Sequence, residues 1–187
     1  MPDSNITKKA LAQAMKDLMV REPFAKISVG DICDACGMNR KSFYYHFRDK
    51  YDLVNWIFYT EFIQAVQGTD YPTGWDFLSR MCAYFYQERD FYRCAMQIEG
   101  QNSFREYFGE IMTPFLTTLA RDVSPELDDP QFYITFFVDA FLASLVRWLS
   151  EGTPMPPEEY AGRLKRFVLA LAHLVLSEDE GGPIHIG

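Results

Sequence analysis

An all-α fold is what this sequence predicts, and three observations carry the prediction. Apolar residues recur at three- and four-residue spacing, no stretch alternates apolar and polar residues for long enough to make a sheet, and Pro and Gly fall between the periodic runs. With 187 residues, 48% of them apolar and 16% aromatic, the chain can fill a sizeable core.

The first helix is expected from about residue 4 to 21, where Ala10, Leu11, Ala14, Met15, Leu18 and Met19 form one stripe and Pro23 ends it. Ser28 opens SVGD, a Ser with Asp three residues on, which resembles a capping box and starts a short helix to about Ala35. Gly37 breaks that helix, Asn39 caps the next, and residues 40–47 make a second short one. Asp49 caps a fourth, running through Leu53, Trp56, Ile57, Phe62 and Ile63 to about Gln67. The run GTDYPTG, residues 68–74, is the clearest punctuation, so the junction between head and body is placed there or inside the helix before it. Helices are then expected at 75–89, 90–99, 103–122 with a break or kink at Pro114, 131–151 and 157–177. The expected division is a head of residues 1–50, a helical body of 51–177 and an acidic, Gly-rich tail of 178–187.

The formal net charge is -8 but unevenly spread: residues 1–50 carry nine Lys/Arg against six Asp/Glu, and the rest carry nine against twenty. A basic head on an acidic body suits a head that meets a polyanion. The N-terminus lacks the basic-then-apolar layout of a signal peptide, and no 18-residue run is free of charge, so a cytoplasmic protein is expected. The stretches FYITFFVDAFLASLVRWL and FVLALAHLVL are apolar almost all round, and such helices must be covered on every side. Asp139 and Arg147 in the first, and the shortness of the second, argue against a membrane span and for deep core plus a subunit interface.

Two short helices separated by Cys36, Gly37 and Met38 form a helix-turn-helix, whose second helix would lie in a major groove of double-stranded DNA. At about 100° per residue, Phe43 and Phe47 share the core face while Lys41 and Tyr45 point away from it. Arg40 and Tyr44 flank one side, Ser42 and His46 the other, so basic and hydroxyl groups line the exposed face and suit phosphates and base edges. Lys50 begins the following helix and can add its charge to that helix's backbone N–H groups to hold a phosphate. Ser28, Val29 and Asn39, at the helix starts, complete the candidate DNA-binding set.

The stretch ISVGDICDACGMNRKSFYYHFRDKYDL closely resembles the DNA-binding head of TetR-family bacterial transcriptional regulators, a likeness that covers about residues 7–60. The body, through DFYRCAMQIEGQNSFREYF and WLSEGTPMPPEEYA, resembles the DhaS-like branch of that family. The resemblance implies that Tyr44 and Lys50 hold phosphates, that Lys41 and Tyr45 reach bases or the adjacent backbone, and that the final two helices pair with their twins in a homodimer. Leu145, Trp148, Leu164, Phe167, Leu171 and Leu174 are the candidate interface residues.

Cys33 and Cys36 are spaced as a metal or redox pair, but no second Cys or His pair completes a zinc site, and no basic neighbour in sequence would lower a thiol pKa. Packing accounts for both better than redox chemistry, and no metal or cofactor is expected. His173, His185 and the pair Glu106 and Glu110 assemble no reaction, so the chain is not expected to be an enzyme. The body mixes rings with amides: Tyr84, Gln97, Asn102, Phe104, Tyr107, Phe108, Phe136 and Asp139 would serve either a solid core or a cavity for a small effector. Asp139, amid apolar neighbours, needs a partner, and Arg105, Arg93, Arg147 of a second subunit or a cationic ligand would supply one. The expectation is thus a dimeric, effector-controlled regulator. One alternative is an activator whose body answers to a partner protein; another is a helical-bundle enzyme with an incidental basic head.

Overall fold

The computed structural model describes the backbone of residues 2–123, 130–152 and 154–177, and the side-chain surroundings of 4–114, 116–117, 131–152 and 154–170. Every regular element among them is helical, and two compact units are formed: Met1–Thr69 with Glu88–Pro154, and Asp70–Gln87 with Met155–Gly187.

In the first unit, α1 (Pro2–Arg21) buries Leu11, Met15 and Met19 and packs against α2 (Val29–Ala35), α3 (Arg40–His46) and α4 (Lys50–Phe58). A 3-10 turn, Phe24–Lys26, follows Pro23, which has no N–H with which to continue α1. Beyond α4 the chain continues as a π-helical stretch, Tyr59–Ile63, and then α5 (Gln64–Val66), before Gly68 turns it with φ +78°. A sequence period of 3.6 does not distinguish that widened turn from ordinary helix, so one continuous helix was the natural expectation.

The same unit holds α7 (Arg89–Ala95), α8 (Phe104–Val123) and α9 (Pro130–Ser150), with α9 packed on both α7 and α8. Here α7 stops at Ala95 instead of reaching Glu99, because the chain must reverse toward α8, with Gly100 at φ +102° and Asn102 at φ +61°. Pro114 sits inside α8 without ending it, and the Thr117 hydroxyl donates to the Thr113 carbonyl one residue before the ring. Phe58, Tyr92, Phe104, Phe108 and Phe141 make a packed cluster: Phe58 lies 5.3 Å from Phe104 and 6.0 Å from Phe108, and Phe108 lies 6.2 Å from Phe141, centroid to centroid.

The second unit is a helix pair, α6 (Gly74–Gln87) on α10 (Pro157–Ser177). Before α6, Thr73 and Asp76 exchange a capping box: Thr73 N–H donates to the Asp76 carboxylate at 2.9 Å, and Asp76 N–H to the Thr73 hydroxyl at 3.3 Å. Leu78, Met81, Cys82 and Phe85 form its buried face.

In the single chain, α9 and α10 are not covered all round. Ile134, Val138, Phe141, Leu142 and Leu145 of α9 are buried, whereas Phe132, Tyr133 and Phe136 are exposed, as are Phe167 and Leu169 of α10. Among the described residues Gln131–Ser150 is long and apolar enough to cross a membrane by length and composition, and it carries Asp139 and Arg147.

Candidate nucleic-acid interface

The geometry of α2 and α3 is set by short-range bonds that their sequence encodes. At the start of α2, Ser28 N–H donates to the Asp31 carboxylate at 2.8 Å and Asp31 N–H donates to the Ser28 hydroxyl at 3.2 Å. Hydrogen bonding to the carboxylate from the Ser28 hydroxyl and then from the Ser28 N–H, with the Arg40 guanidinium adding, holds the Asp31 carboxyl below the usual carboxylate range. At the end of α2 Gly37 takes φ +68°, which lets Met38 N–H reach the Cys33 carbonyl at 2.8 Å and Gly37 N–H reach Asp34 at 3.3 Å, a Schellman closure. The Asn39 side chain then accepts from Ser42 N–H at 2.9 Å and from the Ser42 hydroxyl at 3.3 Å, starting α3.

That frame turns α3 so that Phe43 and Phe47 are buried, at 0% and 2% exposure, while Tyr44 and Tyr45 stand out at 59% and 81%. Lys41 and Arg40 are exposed beside them, and His46 is half-buried with its ring 4.9 Å from that of Tyr45. Ser42 is half-buried and held by the Asn39 cap, Ser28 is exposed within its own cap, and Val29 is half-buried. The face therefore presents two phenols and two cations to solvent, donors and acceptors that suit phosphate oxygens and base edges. Lys50 is placed differently: its ammonium donates to the carbonyls of Phe24 at 2.7 Å and Ile27 at 2.8 Å.

The surroundings of the cysteines at 33 and 36 disfavour the thiolate. Burial raises both thiols, and the Cys36 thiol donates to the Ile32 carbonyl at 3.3 Å. Burial also pushes the Cys82 thiol up to about 12. Among the described residues no group of three or more His, Cys, Asp or Glu side chains could hold a metal ion.

The candidate effector residues are dispersed. Phe104 and Phe108 lie in the packed ring cluster at 1% and 0% exposure, whereas Phe136 is 67% exposed and stacks on Phe132 at 6.5 Å. Gln97 and Asn102 are exposed; Gln97 borders two surface clefts of about 560 and 710 Å³, and Asn102 meets the fold through its backbone. Tyr107 is half-buried, with its phenol raised by burial, and Tyr84 belongs to the second unit. Asp139 pairs with Arg105 at 3.2 Å, with both side chains about half exposed, so its charge is met within the chain.

Of the candidate interface residues, Leu145 and Trp148 are buried at 0% and 2% in the single chain and act there as core. They fall on the side of α9 that faces its own fold, which apolarity alone could not tell from the outward side. Leu164 is half-buried and Phe167 is 60% exposed. Leu171 and Leu174 lie outside the residues whose side chains are described.

Two residues that sequence reasoning did not single out link the head to the helices beyond it. Lys16 of α1 forms ion pairs with Glu61 at 2.9 Å and Glu88 at 2.7 Å. Asn55 of α4 donates to the Asn102 carbonyl at 3.2 Å. Both join residues more than forty apart, and no local spacing announces them.

A family model described as bacterial regulatory proteins, tetR family, matches residues 10–57, and one described as a transcriptional regulator C-terminal region matches residues 75–169. The HTH-type dhaKLM operon transcriptional activator DhaS of Lactococcus lactis subsp. lactis (strain IL1403) is 31% identical over 109 residues, a match to 58% of this chain and only 57% of that relative's length. Among solved structures, the dihydroxyacetone kinase operon activator DhaS aligns with TM-score 0.62 at 24% identity over 90% of this chain and 97% of its own. A TetR transcriptional regulator from Streptococcus agalactiae 2603V aligns with TM-score 0.70 at 20% identity, over 91% and 96%. NalD, the secondary repressor of the MexAB-OprM multidrug efflux pump in Pseudomonas aeruginosa, aligns with TM-score 0.65 at 20% identity, over 89% and 96%. At these identities the solved structures establish the fold.

Proposed function

Because this chain belongs to the TetR family of bacterial transcriptional regulators, a DNA-binding regulator and not an enzyme, we propose that it reads a near-palindromic operator as a homodimer. The observation that carries this reading is the division of α3, with Phe43 and Phe47 buried while Lys41, Tyr44 and Tyr45 are exposed on one helix-turn-helix. A dimer would place two copies of that helix one DNA turn apart, which a two-fold symmetric operator requires. The exposed rings of Phe132 and Phe136 on α9 offer such a dimer its apolar contact. Selection of bound duplexes from a random pool, followed by footprinting, tests the reading: enrichment of an inverted repeat is expected, and a pool with no enriched site overturns it.

The signal received by the body has two readings, a small-molecule effector held between helices and a partner protein docked on the surface. Burial of Phe104 and Phe108 together with the outward placement of Gln97 and Asn102 favours the partner protein. The relative of Lactococcus lactis is a transcriptional activator, and activation through a docked protein is the form of control proposed for this chain. Titrating the operator complex with a metabolite set separates the readings: unchanged operator affinity is expected, and a saturable change with one metabolite restores the effector.

A further inference from the structure

We propose that Lys50 is a positioning residue for DNA binding, whose ammonium ties the start of α4 to the chain between α1 and α2 and so fixes how the pair α2–α3 is presented. The proposal rests on the DNA-binding reading and departs from the phosphate role that resemblance assigns to this lysine.

Three contacts engage the ammonium within the protein. It donates to the Phe24 carbonyl at 2.7 Å and to the Ile27 carbonyl at 2.8 Å, and it lies 4.2 Å from the centroid of the Phe24 ring. An ammonium has three donors, and here two end on backbone oxygens while an aromatic face covers another side. The bonds are short and charge-assisted, and burial lowers the lysine's pKa from its ordinary value, which marks a cation partly withdrawn from water. Phe24 is itself 8% exposed and meets the Tyr51 ring edge-on at 4.9 Å, so the platform beneath the ammonium is fixed.

The places joined explain the consequence. Ile27 immediately precedes Ser28, the residue that caps α2, and Lys50 is the first residue of α4, immediately after the α3–α4 link. The Ile27 bond thus closes α2, the Gly37 turn and α3 into a ring pinned at its two ends. Swinging the ammonium out to a phosphate would break that closure, take from the Ile27 carbonyl the donor it holds, and leave the Phe24 carbonyl with only the Ile27 N–H at 3.1 Å. Lys41, exposed on α3, has no such burial to give up.

The two roles differ in their salt dependence, since a lost phosphate contact flattens the slope of log K against log salt by about 0.9. The test is binding of a random-sequence duplex of about 30 base pairs, enough for one dimer footprint, by full-length wild type, Lys50→Met, Phe24→Leu and Lys41→Met, well below each melting temperature. For Lys50→Met the expected result is an affinity loss of roughly three- to tenfold with an unchanged slope, and a melting temperature lower by about 5 °C. Phe24→Leu keeps every charge but removes the ring under the ammonium; it should weaken binding in the same direction, again at constant slope, and carries the test if Lys50→Met does not fold. Lys41→Met, the control, should flatten the slope by about 0.9 and leave the melting temperature alone. A flattened slope in Lys50→Met overturns the proposal in favour of a phosphate contact, and a lowered melting temperature with undiminished affinity in both variants reduces Lys50 to a stabilising residue. Failure of the wild type to bind the duplex at low salt would instead overturn the DNA-binding reading beneath it.

Discussion

Tyr45 of α3 and Phe136 of α9 are both strongly exposed rings, at 81% and 67%, yet their surroundings differ. Tyr45 stands among Lys41, Arg40, Tyr44 and His46, all of which hydrate well, while Phe136 stacks on Phe132 beside Tyr133 and the exposed Ala140 and Ala143. A phenol among cations is stable in water and equally suited to a polyanion; stacked unsubstituted rings beside small residues are suited to burial against another apolar surface. Exposure alone assigns neither surface, and the companions of each ring do.

The largest effect should come from breaking the α9 side. On the proposed dimer, Phe136→Asp would bury an unpaired carboxylate, and sedimentation should show monomers at concentrations where the wild type is dimeric. Losing the second half-site contact should lower operator affinity by about 100-fold or more. A dimeric variant with normal operator binding would remove α9 from the interface and dissolve the contrast with α3.

Cations give the same contrast a second form, since Lys41 is exposed whereas Lys16 is held between Glu61 and Glu88 with its ammonium 5.9 Å from the Phe91 ring. Lys16→Met would leave two partly exposed carboxylates without their shared partner and should cost about 1–2 kcal/mol, less than a fully buried pair because solvent screens it. Burial, the largest single influence, would lower the Lys16 pKa, but the hydrogen bonds to Glu88 and Glu61 together with the attraction of their charges outweigh it and raise the pKa above 10.5. A raised pKa means that the contribution is fully present below 10.5 and is lost as pH rises through the folded value. Melting curves of wild type and variant should therefore differ at neutral pH and converge in strong alkali; a gap that persists there would show that Lys16 acts through packing and not through charge.

A smaller effect should follow on the DNA side. If Tyr45 reads bases, Tyr45→Ala should change the ranking of operator variants by roughly 1 kcal/mol, about fivefold, without altering the salt slope. Equal losses on all duplexes would make its contact one with the backbone.

What the sequence made legible was local. Ser28 with Asp31, Gly37, Asn39 and Asp49 each determine a turn or cap within a few residues of themselves, and the structure places the corresponding bonds there. Thr73 with Asp76 carries the same signal at the start of α6 and was readable on the same grounds. Long-range pairing was not legible: nothing near Lys16 points to Glu88, and Lys50 shows a basic residue without showing the carbonyls of Phe24 and Ile27. Apolarity likewise marked α9 as a helix to be covered but not which side, so Leu145 and Trp148 fall in the core while Phe132 and Phe136 face out. The mix of rings and amides from Tyr84 to Phe108 was ambiguous for the same reason, because a packed cluster and a cavity draw on the same residue types.

The smallest expected effect concerns two carboxylates, one on each side of the contrast. Asp31 completes the capping box of α2 and its carboxyl is held low by the bonds with Ser28, whereas Asp139 lies on α9 in an exposed pair with Arg105. A lowered pKa means that the stabilisation from Asp31 is present above the unfolded value of 3.8 and is lost as pH falls through the folded value. Asp31→Asn keeps an oxygen that can accept from Ser28 N–H but removes the charge, so the variant should be slightly less stable than the wild type at neutral pH and should lack its decline in acid. Asp139→Asn should change the melting temperature at neutral pH little, since an exposed pair of this kind contributes little. Thermal melts from neutral pH down through 3.8 check both variants. If Asp31→Asn retained the wild-type acid decline, the cap would owe its strength to shape alone, and the electrostatic distinction between the two helices would rest on α3.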